Sequence, residues 1–270
     1  MDPGPLRDAF TVVAGVGTGV LSAAFGVGGA VISTPAIRLL GASASAAVGT
    51  TLPSILPSAA TGALRYSREG LVDGRIVTWT TPAGVVASVG GSLLSHVIPG
   101  DGHWLMVLTA VLLGFTAWRM ARQPEAPPAA EADVEMAPHH VAVALRPDRP
   151  AVLVAIGAAA GLLSGLLGVG GGVVMVPAFT EIAGIPLKTA IASSLACVGL
   201  FAIPGTVTHA LIGGVDWRFA LCLGVGVIPG ARLGAHLAIR AGDTRLRRAV
   251  ALFLGVIAVI YAAGEIAALF

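Results

Sequence analysis

The chain has 270 residues, 56% hydrophobic and only 11% charged, with a mean hydropathy of +0.89. A soluble domain carries about 25% charged residues, so this deficit excludes an ordinary soluble fold and places the chain in a bilayer. The net charge of +2 is too small to indicate nucleic acid, and the two cysteines, Cys197 and Cys222, lie in apolar segments as small packing residues rather than a disulfide.

The N-terminus, MDPGPLRDAF, lacks the cationic region of a cleavable signal peptide, so the first apolar run, 10–40, is expected to be retained. Gly26-Val27-Gly28-Gly29 interrupts it. Inside a membrane, broken backbone is tolerated only where it lines a cavity or is buried in protein. The run, like its later counterpart, has about 31–33 residues, too long for one upright span and too short for two, which need about 40. Folded at the glycines it becomes a hairpin with arms of about 16 and 11 residues, about 24 and 16 Å. A single long tilted helix is the alternative.

Run 42–64 carries Gly49-Thr50-Thr51-Leu52-Pro53 and Pro57. Pro53 removes a backbone donor and frees a carbonyl one turn earlier. Thr50 and Thr51 lie about 12 Å into the helix, deep enough to meet the glycine tip; back-bonding to their own helix is the other use for them. Arg65, Arg68 and Arg75 occupy the connection to run 76–98, where Asp73 fits a helix N-cap. Arg119, Arg122, Arg146 and Arg149 flank the connection that follows run 104–121. The Pro/Ala/Glu-rich stretch 122–150 reads as an aqueous linker, with His139 and His140 solvated in it rather than paired on a metal.

Run 151–183 holds a second glycine cluster, Gly168-Val169-Gly170-Gly171-Gly172. Run 187–211 holds Ala192-Ser193-Ser194-Leu195, with Pro204 further on. Asp216 opens run 218–239, where Arg232 and His236 are ionisable groups within apolar sequence. An intramembrane charge is a functional candidate, and Arg232 is weighed as an anion ligand or gate against simple snorkelling. Arg38, Glu181 and Lys188 flank the hairpins. Arg240, Arg245, Arg247 and Arg248 precede the last run, 249–269.

The second half repeats the first. At an offset of 142, Gly15, Gly19, Ser22, Gly28, Gly29 and Pro35 match Gly157, Gly161, Ser164, Gly170, Gly171 and Pro177. After a one-residue shift, Gly62, Gly70, Asp73, Arg75 and Gly91 match Gly205, Gly213, Asp216, Arg218 and Gly234. The chain thus divides into repeat 1–121, linker 122–150 and repeat 151–270. Collecting the basic connections on the cytoplasmic side requires an odd number of crossings per half, which makes the repeats inverted. The fold expected is all-α and polytopic. Each repeat holds a glycine-broken hairpin or long first helix, followed by three spans.

Helix N-termini exposed at a glycine tip present N–H donors and the positive end of the helix dipole, a natural anion cradle. Close packing of small residues is the plainer use of the same glycines. The candidate substrate-binding set is Gly28, Gly29, Thr50, Thr51, Gly170, Gly171, Gly172, Ser193, Ser194 and Arg232. No span carries a mid-membrane carboxylate cluster, which argues against a cation. No Walker A, HExxH or Ser/His/Asp arrangement supports an enzyme, and no cofactor is called for.

The repeats resemble the TauE/SafE, or sulfite exporter, family of membrane permeases. The resemblance rests on GVGGAVISTPA at 26–36, AVGTTL at 47–52, LRYSREGLVDGR at 64–75, GVGGGVVMVPA at 168–178, TAIASSL at 189–195, HALIGGVDWRFALCLG at 209–224 and GARLGAHLAIRAGDTRLRRAVALFLG at 230–255. It implies secondary transport of sulfite, sulfoacetate or another small organosulfonate across the cytoplasmic (inner) membrane. The partners would be that anion and the lipid bilayer, without nucleic acid; homo-oligomerisation stays open. An anion channel and a non-transporting membrane scaffold are the competing readings.

Overall fold

The structure is a computed structural model that describes residues 4–39, 44–95, 103–122, 150–167, 170–211 and 213–269. The expected linker, with His139 and His140, lies outside the described residues apart from its two end residues; so do Gly168 and the side chain of Arg38. Among the described residues there are ten helices and no strand. In the first repeat these are α1 (Pro5–Phe25), α2 (Ala30–Leu39), α3 (Ala44–Ser67), α4 (Gly74–Ser95) and α5 (His103–Arg122). In the second they are α6 (Pro150–Leu167), α7 (Gly172–Glu181), α8 (Leu187–Leu211), α9 (Trp217–Arg240) and α10 (Asp243–Leu269). By length and composition alone, α1, α8, α9 and the stretch Asp243–Gly264 of α10 are apolar enough to cross a membrane.

The chain reverses at the first glycine cluster. Gly26, at φ 68°, caps α1 by donating its N–H to Ser22 O at 2.9 Å. Ile37, late in α2, then packs with Phe219 and Leu223 near the start of α9. Arg7, early in α1, lies over the same Phe219 ring at 4.3 Å. The two ends of the α1–α2 segment therefore sit beside one end of α9, the arrangement of a hairpin rather than of one long tilted helix. The first arm is longer than its sequence suggests, 21 residues instead of about 16. Pro5 at the start favours the first helical turn, and Asp8 in that turn is ion-paired with Arg218 at 2.6 Å, so the helix extends beyond the apolar run.

Glycine then fixes how helices meet. α1 packs along α9 with the contact points advancing together: Gly226 meets Val12 O, Gly230 meets Val16 O and Gly234 meets Val20 O. These two helices are parallel, and their backbones touch. α4 and α6 repeat the arrangement, with Gly157, Gly161 and Gly165 against the carbonyls of Thr80, Gly84 and Ser88. Small residues at four-residue spacing allow this approach, and packing rather than hydrophobic transfer drives helix association in lipid. The partnership is exchanged between halves, since α1 and α6 correspond in sequence and so do α9 and α4.

The remaining equivalent pairs run the other way. Across α3 and α8, Leu52 meets Gly205, Ala59 meets Gly199 and Gly62 meets Leu195. Across α5 and α10, Gly114 meets Ala258 and Ala117 meets Gly255, each at 3.8 Å for a Cβ built on the glycine. In both pairs one number rises as the other falls, so equivalent helices of the two repeats are antiparallel.

The ion pairs lie at helix ends. Arg119, near the end of α5, pairs with Glu181 at the end of α7. Lys188 donates to Ile239 O at 3.0 Å near the C-terminal end of α9 and lies 3.6 Å from Asp243. Both charges thus complement helix termini at one end of the bundle.

Candidate functional site

The two glycine tips meet. Gly28 has φ 83° and Gly170 has φ 85°, a left-handed backbone that glycine adopts without steric penalty. A Cβ added to Gly28 would lie 3.2 Å from Gly170 O and 2.9 Å from Val198 Cγ1. One added to Gly170 would lie 3.6 Å from Gly28 Cα and 3.6 Å from Ile55 Cδ1. Ile55 and Val198 occupy equivalent positions near the middles of α3 and α8. The meeting point thus lies on the relation that exchanges the repeats, at the centre of the bundle. Gly172 is pressed against Gly26 O and Val27.

Each short helix leaves donors at this point. In α2 the first internal bonds come from Ile32 and Ser33, both to Gly29 O. The N–H groups of Ala30 and Val31 have no acceptor among the described residues, and both residues are fully buried. In α7, Val174 and Met175 bond to Gly171 O, leaving Val173 in the same position. Buried N–H groups normally find partners, and helix N-termini are where such donors collect. Two positive dipole ends are therefore aimed into the core from opposite directions.

The hydroxyls divide into two uses. Ser194 reaches the first tip, donating to Gly26 O at 2.7 Å. Thr51 lies 3.4 Å from Thr34 of α2. Thr50 and Ser193 point elsewhere. Thr50 Oγ1 accepts from Asp216 N at 2.9 Å, and Ser193 Oγ accepts from Asp73 N at 3.1 Å. Because α3 and α8 are antiparallel, these two contacts fall toward opposite ends of the bundle. The structure does not bring Thr50 and Ser193 together at the tips. Each ties the entry of a helix in the other repeat. The aspartates are the N-caps their position in the sequence suggests: Asp216 accepts from Arg218 N and Phe219 N, and Asp73 from Arg75 N.

Arg232 is exposed on the outer face of α9, away from the buried tips, which fits snorkelling rather than an anion ligand. The other candidates, Gly28, Gly29, Thr51, Gly170, Gly171, Gly172 and Ser194, are buried around the tips. Thr18 had no place in the sequence-derived set. It is wholly buried, its Cγ2 lies 2.9 Å from where a Gly29 Cβ would be, and its hydroxyl has no partner. Ser22 and Ser58, bonded to each other at 3.3 Å, add further hydroxyls close by. The Thr18–Ser22 and Ser54–Ser58 spacings of four residues were the available signal. Ile55 and Val198 offered none, being apolar residues in apolar helices.

The hydroxyl ties lead to a first expectation. Thr50→Val and Ser193→Ala each leave a partly buried N–H unpaired, which costs about 1–3 kcal/mol. The sites are far apart, so the double variant should lose the sum. Unfolding in detergent without any added anion measures this; unchanged stability in both single variants would return these hydroxyls to a role in binding alone.

A family model described as sulfite exporter TauE/SafE matches residues 11–261, nearly the whole chain. The chain belongs to this family. A probable membrane transporter protein of Xylella fastidiosa is 30% identical over 217 residues, covering 80% of this chain and 78% of its own. One from Methanocaldococcus jannaschii is 24% identical over 267 residues, with 91% of each chain covered. No solved structure matches. Family membership together with the apolar helices makes this TauE/SafE protein a multi-pass membrane transporter.

Proposed function

We propose that this TauE/SafE protein is a secondary transporter that carries a small sulfur-containing oxyanion, such as sulfite, sulfoacetate or another organosulfonate, across the cytoplasmic membrane. The observation that carries the reading is the meeting of two uncapped helix N-termini at Gly28 and Gly170, in a core supplied with hydroxyls. Such a site holds negative charge through N–H dipoles and O–H donors without a fixed cation. An anion bound this way can be released, which transport requires. The tips are buried, so a bound anion would be sealed from both faces. Antiparallel equivalent helices support inverted repeats, and rocking one repeat against the other would open the tips to each face in turn. With the basic helix ends in the cytoplasm, the turn 240–242 and the two helix ends that flank the linker share that side. Cysteine labelling that separates them would overturn this orientation.

Reconstitution in liposomes tests the substrate. Labelled sulfite or sulfoacetate should accumulate by exchange when the same anion fills the vesicles, and chloride should not replace it. Uncoupled conductance without exchange would assign a channel, and absence of both flux and binding would remove the reading.

A further inference from the structure

We propose that the groove between α5 and α10 is a binding site for an anionic phospholipid, with the phosphate held between Arg122 and Arg248 and one acyl chain lying along the groove. The groove has a volume of about 740 Å³, and its lining is apolar except for Arg248 at one end. Its floor is made of small residues, Ala117, Ala121, Ala251 and Gly255. Its rim is large and exposed, with Leu252 at 71%, Val259 at 68% and Trp118 at 50%. A small floor between bulky walls makes an apolar furrow in which a hydrocarbon chain can lie.

Length supports the same occupant. The lining on α10 runs from Arg248 to Ile260. Twelve residues at about 1.5 Å each give about 18 Å. One leaflet contributes about half of a hydrocarbon core of about 30 Å, so the groove spans a single leaflet.

Charge at the end of the groove selects the headgroup. Arg122 stacks over the Trp118 ring at 4.4 Å, which places its guanidinium beside the groove lining. Arg245 and Arg247 precede Arg248 in the first two turns of α10. Basic pockets between transmembrane helices recognise anionic headgroups, and Arg presents a planar fork suited to phosphate. The aromatic ring at that depth matches the interfacial position of tryptophan. A zwitterionic lipid would gain less, because among the described residues no carboxylate lines the groove to meet its cationic group.

The test uses the full chain in detergent, with phosphatidylglycerol or phosphatidylcholine of identical acyl chains added and bound lipid counted by native mass spectrometry. The wild type should retain phosphatidylglycerol in preference. Arg122→Ala with Arg248→Ala should weaken that retention about thirtyfold, at about fivefold for each guanidinium near the headgroup. Arg75→Ala, at the same end of the bundle but on α4, should retain it. Gly255→Leu fills the floor without altering charge and should also reduce retention, which keeps the test open if the double variant fails to fold. Equal retention of the two lipids, or retention unaffected by both kinds of variant, would overturn the site. A dimer that dissociates in Gly255→Leu with no change in lipid would assign the groove to a second copy and also overturn it.

Discussion

Gly91→Ala should lower the melting temperature of the detergent-solubilised transporter by several degrees, while Gly90→Ala, one residue earlier, leaves it unchanged or slightly higher. The two glycines are neighbours on α4 and face about 100° apart around its axis. A Cβ on Gly91 would press on Leu162 O and lie 2.9 Å from Leu166 N, both backbone atoms of α6. Backbone in the middle of a helix cannot yield as a side-chain tip can. The two helices must separate or shift, and overpacking of this kind costs about 1–3 kcal/mol or more. At about 2–4 °C per kcal/mol for a chain of this size, a loss near 3 kcal/mol corresponds to about 6–12 °C. Gly90 has no atom within 4 Å of its added Cβ and is exposed. There alanine improves helix propensity at no packing cost. Equal melting temperatures for the two variants would mean that α4 and α6 do not touch backbone to backbone, and the arrangement of the two hairpins would have to be redrawn.

The same contrast explains how much could be read before the structure. Glycines at four-residue spacing, Gly157-Gly161-Gly165 and Gly226-Gly230-Gly234, mark close helix contacts by themselves, and the duplication marks which halves are equivalent. Neither names the partner. That α1 lies on α9, and α6 on α4, follows from how two hairpins insert into the opposite repeat, a non-local result that no local spacing encodes. The hydroxyl pairs show the limit more sharply. Thr50-Thr51 and Ser193-Ser194 are adjacent residues, and depth counting treats each pair as a unit. A helix turns about 100° per residue, so adjacent side chains face different neighbours. Ser194 looks to a tip, and Ser193 to an N-cap in the other repeat. Depth was legible in the sequence; direction around the helix axis was not. Arg232 fails for the same reason, since its position along α9 is right for the core and its face is wrong.

Gly28→Ala and Gly170→Ala should each reduce exchange of the proposed oxyanion at least about tenfold, whereas Gly70→Ala and Gly213→Ala should leave it near the wild-type rate. All four glycines have positive φ, at 83°, 85°, 68° and 78° respectively. An L-residue in that conformation costs about 1–2 kcal/mol wherever it occurs, so the four variants share a similar backbone strain. They differ in surroundings. Gly70 and Gly213 lie in the turns before α4 and α9, with nothing within 4 Å of an added Cβ. At the tips, the methyl of Gly28→Ala would crowd Val198 and Gly170 O, and that of Gly170→Ala would sit against Gly28 Cα and Ile55. Under the proposed alternating access, this contact must break and re-form in every cycle. A methyl there both pushes the tips apart and covers the N–H groups at the two helix starts. A barrier raised by about 1.4 kcal/mol is already a tenfold loss of rate. Melting temperatures of the four variants provide the internal reference. If all four lose similar stability but only the tip variants lose exchange, the glycines act in transport. If the tip variants exchange as fast as the turn variants, their role is confined to letting the helices close, and the proposed anion site at the tips is overturned.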